Sequence, residues 1–86
     1  MPELTRFYGI IIRMFYGDHV PPHFHAVYQG EEVQVNIETL EVMEGSISRR
    51  SLALVLEWAV QHRDELRHAW NLASRNQEPD KIAPLE

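Results

Sequence analysis

Eighty-six residues with a net charge of −5 make a chain the size of one small domain, spanning 1–86. The lack of cysteine excludes disulfides and thiolate metal sites, and the acidic balance disfavours nucleic-acid binding driven by phosphate neutralisation. No apolar run approaches the roughly 18 residues of a membrane helix, and MPELTRFYG lacks the basic start and apolar stretch of a secretory signal, so no membrane partner and a cytoplasmic location are expected.

Phe7 to Tyr16, FYGIIIRMFY, reads as a first strand, apolar on both faces and therefore expected to lie centrally in a small sheet. Arg13 interrupts it, either as an arginine whose head reaches solvent or a carboxylate, or as an anion contact. Gly17 to Pro22, GDHVPP, is a loop, because Pro21 and Pro22 cannot donate to a central ladder; either X–Pro bond could be cis.

His23 to Tyr28 and Glu31 to Ile37 read as two strands joined by a two-residue turn, Gln29-Gly30. That turn sets Tyr28 opposite Glu31. Phe24 then meets Val35 and Ala26 meets Val33 on an apolar face, while His23 meets Asn36 and His25 meets Gln34 on a polar one. A shift of one residue would mix the two sets. The histidines are thus expected on the polar side, hydrogen-bonded to Gln34, Asn36 and nearby carboxylates in the plainer reading.

Thr39 to Met43 reads as a short fourth strand, Glu44-Gly45-Ser46 as a turn, and Ser48 as an N-cap. From Arg49 to about Arg75, Leu52, Val55, Leu56, Ala59, Leu66, Ala69 and Trp70 recur at three- and four-residue steps, the pattern of a helix. Unbroken, it would be about 40 Å long, so a bend near His62 is expected. Leu54, Trp58 and Val60 add a second apolar side, which predicts a homodimer. Trp58 and Trp70 read as core anchors, and Arg49, Arg50, Arg63 and Arg67 as a solvated face. The expected fold is α+β: an antiparallel sheet of three or four strands over about 6–43, a long or bent C-terminal helix over about 48–76, and a tail over 77–86 that Ile82 and Leu85 could pin back.

The His-x-His pair carries the chemistry. His23 and His25 lie two apart on one strand and share a face, and imidazole suits zinc and related divalent metals. A complete site needs a third ligand, for which Glu32, diagonal to His25, comes first, then Asp18 and His19 from the loop. The same histidines beside Asn36 and Gln34, joined by Arg13 if it shares their face, could instead serve metal-free acid–base catalysis. His62 and His68, six apart, share no helix face well and make no helical metal pair.

RFYGIIIRMFYGDHVPPHFHA, IETLEVMEG, RRSLALVLEWAVQHRDEL and the closing KIAPLE resemble, over nearly the whole chain, the bacterial family catalogued as domain of unknown function 4160. The resemblance implies a small stand-alone protein with no established activity. It also implies a small protein partner encoded nearby, in an arrangement similar to toxin–antitoxin pairs. Two functions are therefore expected: an interaction protein of such a two-gene module, or a hydrolase or ribonuclease of toxin type using His23 and His25, with or without a divalent metal such as zinc.

Overall fold

The computed structural model describes residues 2–86. Five strands form one antiparallel sheet in the order β1-β2-β3-β4-β5: Glu3–Phe7, Ile10–Arg13, His23–Tyr28, Glu31–Asn36 and Val42–Gly45. Two helices follow, α1 Arg49–Gln61 and α2 Arg63–Ser74. The class is α+β as expected, with more strands and a divided helix.

The extra strand comes from Tyr8-Gly9. These residues take φ of 49° and 80° and fold the expected single strand into the β1–β2 hairpin. Gln29-Gly30, with φ of 49° and 81°, makes the same kind of turn between β3 and β4. Two successive positive φ values match the right-handed twist of the flanking strands, which is why such turns close hairpins. β3, and not the 7–16 run, is the middle strand.

The β3–β4 register is the expected one: His23↔Asn36, Phe24↔Val35, His25↔Gln34, Ala26↔Val33 and Tyr28↔Glu31. On the apolar face, Phe24, Ala26, Val33 and Val35 are fully buried together with Ile10 and Ile12 of β2. Arg13 pairs with His25, so Arg13, His25 and Gln34 form one row across three strands.

The last strand lies later than Thr39–Met43. Asn36 Oδ1 accepts from the backbone N–H groups of Glu38 and Thr39, at 2.8 and 2.9 Å, and this turn absorbs the residues that follow. Glu44 and Gly45 consequently belong to β5 rather than to a turn. Gly45 has φ 78°, and a Cβ there would collide with the Glu32 carbonyl of β4. Gly45→Ala is expected to cost about 3 kcal/mol, through clash and positive φ together, read as a lower denaturant midpoint at unchanged m.

The helical region is two helices. His62 leaves helical geometry at φ −126° and caps both, and its ring Nδ1 lies 2.6 Å from Glu65 Oε1. Asp64 and Glu65 in the first turn of α2 favour a new start there, since acids stabilise a helix N-terminus. Arg63 donates to the Ile37 carbonyl and Arg67 binds Glu38 through two hydrogen bonds, so these arginines tie α2 to the turn after β4. Ser48 caps α1 by accepting from the Ser51 N–H.

Trp58, read both as a core anchor and as part of a surplus apolar side, is fully buried within the chain, as the first reading expected. Phe7 and Phe24 pack on its ring at 5.8 and 5.9 Å, and its Nε1–H donates to the Ala83 carbonyl at 2.8 Å. The tail is thereby pinned, with Ile82 and Leu85 buried and Ile82 N–H donating to the Leu4 carbonyl of β1. No helix among the described residues is long and apolar enough to cross a membrane.

Candidate metal centre

The alternation of β3 sends His23 and His25 to the face opposite Phe24 and Ala26. That face is polar but not solvated around the histidines, which are only 4% and 5% exposed. The chain from Met14 to Pro22 folds over them. Two backbone hydrogen bonds hold this cover: Gly17 N–H to the Ala73 carbonyl of α2, and Ile37 N–H to the Pro22 carbonyl. Phe15 meets the His25 ring edge-on at 4.3 Å, and Trp70 of α2 lies 5.3 Å from the His23 ring. The Val20–Pro21 bond is cis.

The cover delivers Asp18. Its Oδ2 lies 3.0 Å from His23 Nε2 and 3.2 Å from His25 Nε2, and its Oδ1 accepts from the His19 backbone N–H at 2.8 Å. The other ring nitrogens are also engaged. His23 Nδ1 is 2.8 Å from the Pro21 carbonyl, and His25 Nδ1 is 2.8 Å from Glu32 Oε2. Arg13 Nη2 binds the second Glu32 oxygen at 3.0 Å, and its guanidinium lies 5.9 Å from the centre of the Phe15 ring. The Arg13 Nε is buried without a partner among the described residues.

These contacts fix the tautomers. A carbonyl only accepts, so His23 carries its hydrogen on Nδ1. Glu32 is an ionised acceptor: partial burial pushes its carboxyl up, but hydrogen bonds from His25 and Arg13 and their charges hold it below the usual carboxylate range. His25 therefore also donates from Nδ1. With Nδ1 so occupied, each Nε2 faces Asp18 Oδ2: a protonated ring donates from Nε2 to the carboxylate, and a neutral ring offers there a lone pair that can ligate a cation.

Asp18 is likewise lowered. Burial raises its carboxyl, but the His19 N–H, the His25 hydrogen bond and the histidine charges outweigh that. A folded-state pKa below the unfolded one contributes stability that is complete above the unfolded value, about 3.9 for aspartate, and lost as pH falls through the lower folded value. Asp18→Asn is expected to flatten this acid limb, read as melting temperature between about pH 6 and pH 2.

Asp18, His23 and His25 come together, with one ligating atom from each lying within 4.8 Å of the others. Glu32 stands behind His25, and Arg13 behind Glu32, so neither joins the cluster directly. His19 contributes its backbone, and its residue is exposed. Gln34 and Asn36 turn elsewhere: Gln34 donates to Glu44, and Asn36 caps its own turn, so neither solvates the histidines as the plainer reading expected. Phe15, Trp70 and the Pro21 carbonyl were not read from the sequence as parts of the site; Trp70 was read as a core anchor and Pro21 as a loop residue. Only Pro21, two residues before His23, had a local signal.

The model of the family described as Domain of unknown function (DUF4160) matches residues 9–71, well over half of the chain. That span contains Arg13, Asp18, His23, His25 and Glu32. Neither a curated protein nor a solved structure matches the chain.

Proposed function

We propose that this chain, which belongs to the family described as Domain of unknown function (DUF4160), binds a divalent transition-metal ion of the zinc type through Asp18 Oδ2, His23 Nε2 and His25 Nε2. One observation carries the reading: both Nδ1 atoms are committed to acceptors, leaving two Nε2 atoms beside one carboxylate oxygen. Neighbouring ligands of a tetrahedral zinc at about 2.0–2.1 Å lie about 3.3 Å apart, close to the 3.0 and 3.2 Å found. A carbonyl or carboxylate behind each metal-binding imidazole is the usual outer support, and Pro21 and Glu32 fill those places.

Three protein ligands leave a fourth position for water or substrate, the composition of catalytic rather than structural zinc sites. A metal so held would lower the pKa of a bound water and polarise a substrate oxygen, and the activity proposed on that chemistry is hydrolytic. The test is metal-dependent turnover of p-nitrophenyl acetate and bis(p-nitrophenyl) phosphate by zinc- or manganese-loaded protein. Turnover above that of free metal, lost in Asp18→Asn and His25→Ala, is the expected result. Bound metal without turnover of either substrate removes the hydrolytic reading and leaves a structural site.

A second reading, an interaction protein of a two-gene module, draws on β5. This strand ends the sheet, all four of its residues are exposed, and Val42 and Met43 are among its side chains. An open edge with apolar side chains is a template for strand pairing with a second copy or a partner chain. Sedimentation is expected to give a dimer that Met43→Lys dissociates; a monomer at millimolar concentration counts against self-pairing.

A further inference from the structure

Two tyrosines outside the metal centre, Tyr8 and Tyr28, lie side by side, and the first is costly for the fold. Tyr8 occupies the first central position of the β1–β2 turn at φ 49°, where Asn, Asp or Gly is preferred and a bulky aromatic is strained. Core packing does not account for it, since Tyr8 is 61% exposed. Tyr28 closes β3 beside it, and its ring lies next to Gly9, where a Cβ would meet it in ordinary van der Waals contact at 3.5 Å.

Tyr8 and Tyr28 line a cavity of about 260 Å³ with Arg50, Ser51 and Leu54 of α1. No carboxylate lines it, although the chain carries net charge −5. Three other surface cavities each include acids: Asp64, Glu65 and Asp80 in one, Asp64 and Glu65 in the second, Glu57 and Glu86 in the third. Among the described residues, the arginine–carboxylate ion pairs belong to Arg6, Arg13 and Arg67, so the Arg50 guanidinium has no carboxylate to neutralise it.

From these observations we infer that the cavity bounded by Tyr8, Tyr28, Arg50 and Leu54 is a binding site for a small aromatic anion, a phosphate or carboxylate carried on one ring. Arg50 supplies the cation, with planar donors suited to either oxyanion. The two tyrosine rings and Leu54 supply the flat and apolar surface that a ring requires. The volume suits a single ring with its anion, since sites for drug-sized ligands run from about 300 to 1,000 Å³. The strain at Tyr8 then has a function: it presents the aromatic wall, and the fold tolerates its cost. This site is independent of the metal reading.

The test is an amide NMR titration of the full chain with phenyl phosphate, with benzoate, inorganic phosphate and phenol in parallel. Saturable shifts at Tyr8, Tyr28, Arg50 and Ser51 are expected at about millimolar phenyl phosphate. Benzoate in place of phenyl phosphate as the tighter ligand assigns the carboxylate source; inorganic phosphate and phenol are expected to bind at least about tenfold more weakly. Arg50→Gln is expected to weaken binding about tenfold at unchanged melting temperature. Tyr8→Asn gives the separating result: a raised melting temperature, because Asn-Gly suits this turn, together with weakened binding. Gln29→Asn, the same change at the second turn, is expected to raise the melting temperature and leave binding unaltered. No saturable shift with either aromatic anion overturns the assignment, as do equal affinity for inorganic phosphate, a Tyr8→Asn protein that binds as before, or one that is less stable.

Discussion

Trp58→Ala is expected to remove about 3–5 kcal/mol, the range for deleting a fully buried large aromatic. A domain of this length has about 4–13 kcal/mol in total, so the variant loses much of its margin and melts close to the working temperature. The reason lies in what the ring joins. It touches Phe7 of β1 and Phe24 of β3, and its Nε1–H holds the tail at the Ala83 carbonyl. One side chain therefore fastens the sheet, α1 and the C-terminal segment carrying Ile82 and Leu85. Trp58→Phe keeps most of the apolar contact and loses the hydrogen bond, with an expected cost of about 1–2 kcal/mol. Urea unfolding of the two variants separates the terms. A Trp58→Ala midpoint equal to that of Trp58→Phe contradicts the role given to the ring.

The largest functional effects are expected at His25 and its support. His25→Ala removes one of the three proposed ligands, and zinc binding is expected to fall below detection. Glu32→Gln leaves all three ligands but replaces the carboxylate that orients His25 through Nδ1 at 2.8 Å. Loss of an outer partner of this kind costs about 10–100-fold in metal affinity. Arg13 also loses its ion-pair partner in this variant, so Arg13→Met with Glu32→Gln is the companion that separates the two effects. Competition with a chromophoric chelator measures all of these affinities. Because an imidazole must be unprotonated at the ligating nitrogen, protons compete with the metal and wild-type affinity is expected to fall as pH is lowered. Equal affinities for wild type and Glu32→Gln contradict the supporting role.

What the sequence disclosed, it disclosed through alternation. Phe24, Ala26, Val33 and Val35 against His23, His25, Gln34 and Asn36 set the β3–β4 register, and the turn glycine at Gly30 confirmed its position. Ser48 was legible as a cap because a hydroxyl at that place serves a free N–H. The β1–β2 hairpin was not, since Phe7 to Tyr16 is apolar but for Arg13 and tyrosine is a poor turn residue. The bend expected near His62 from the helix's length is a full break between two helices, with Asp64 and Glu65 as the local signal for the second start.

The depth of the site was the larger omission. Alternation places the histidines on the polar face, and a polar face on a small sheet reads as solvated. Their burial comes from the loop Met14 to Pro22, held by Gly17 on Ala73 and by Pro22 on Ile37. Both bonds span long stretches of chain, and no local pattern encodes them. The same loop explains why Asp18, and not the strand neighbour Glu32, completes the cluster. Burial also changes what a histidine deletion does: removing both rings leaves a void under the loop as well as an empty site, so folding of every variant is verified by circular dichroism before its metal affinity is compared.

The central claim is that Asp18, His23 and His25 hold a divalent metal ion, and a calorimetric titration of the wild-type chain with zinc at neutral pH tests it most directly. The expected result is saturable binding of a single ion per chain, absent in the folded double variant His23→Ala with His25→Ala. No heat with zinc, nickel or manganese in buffers of different ionisation enthalpy, or the same isotherm from the double variant, contradicts it.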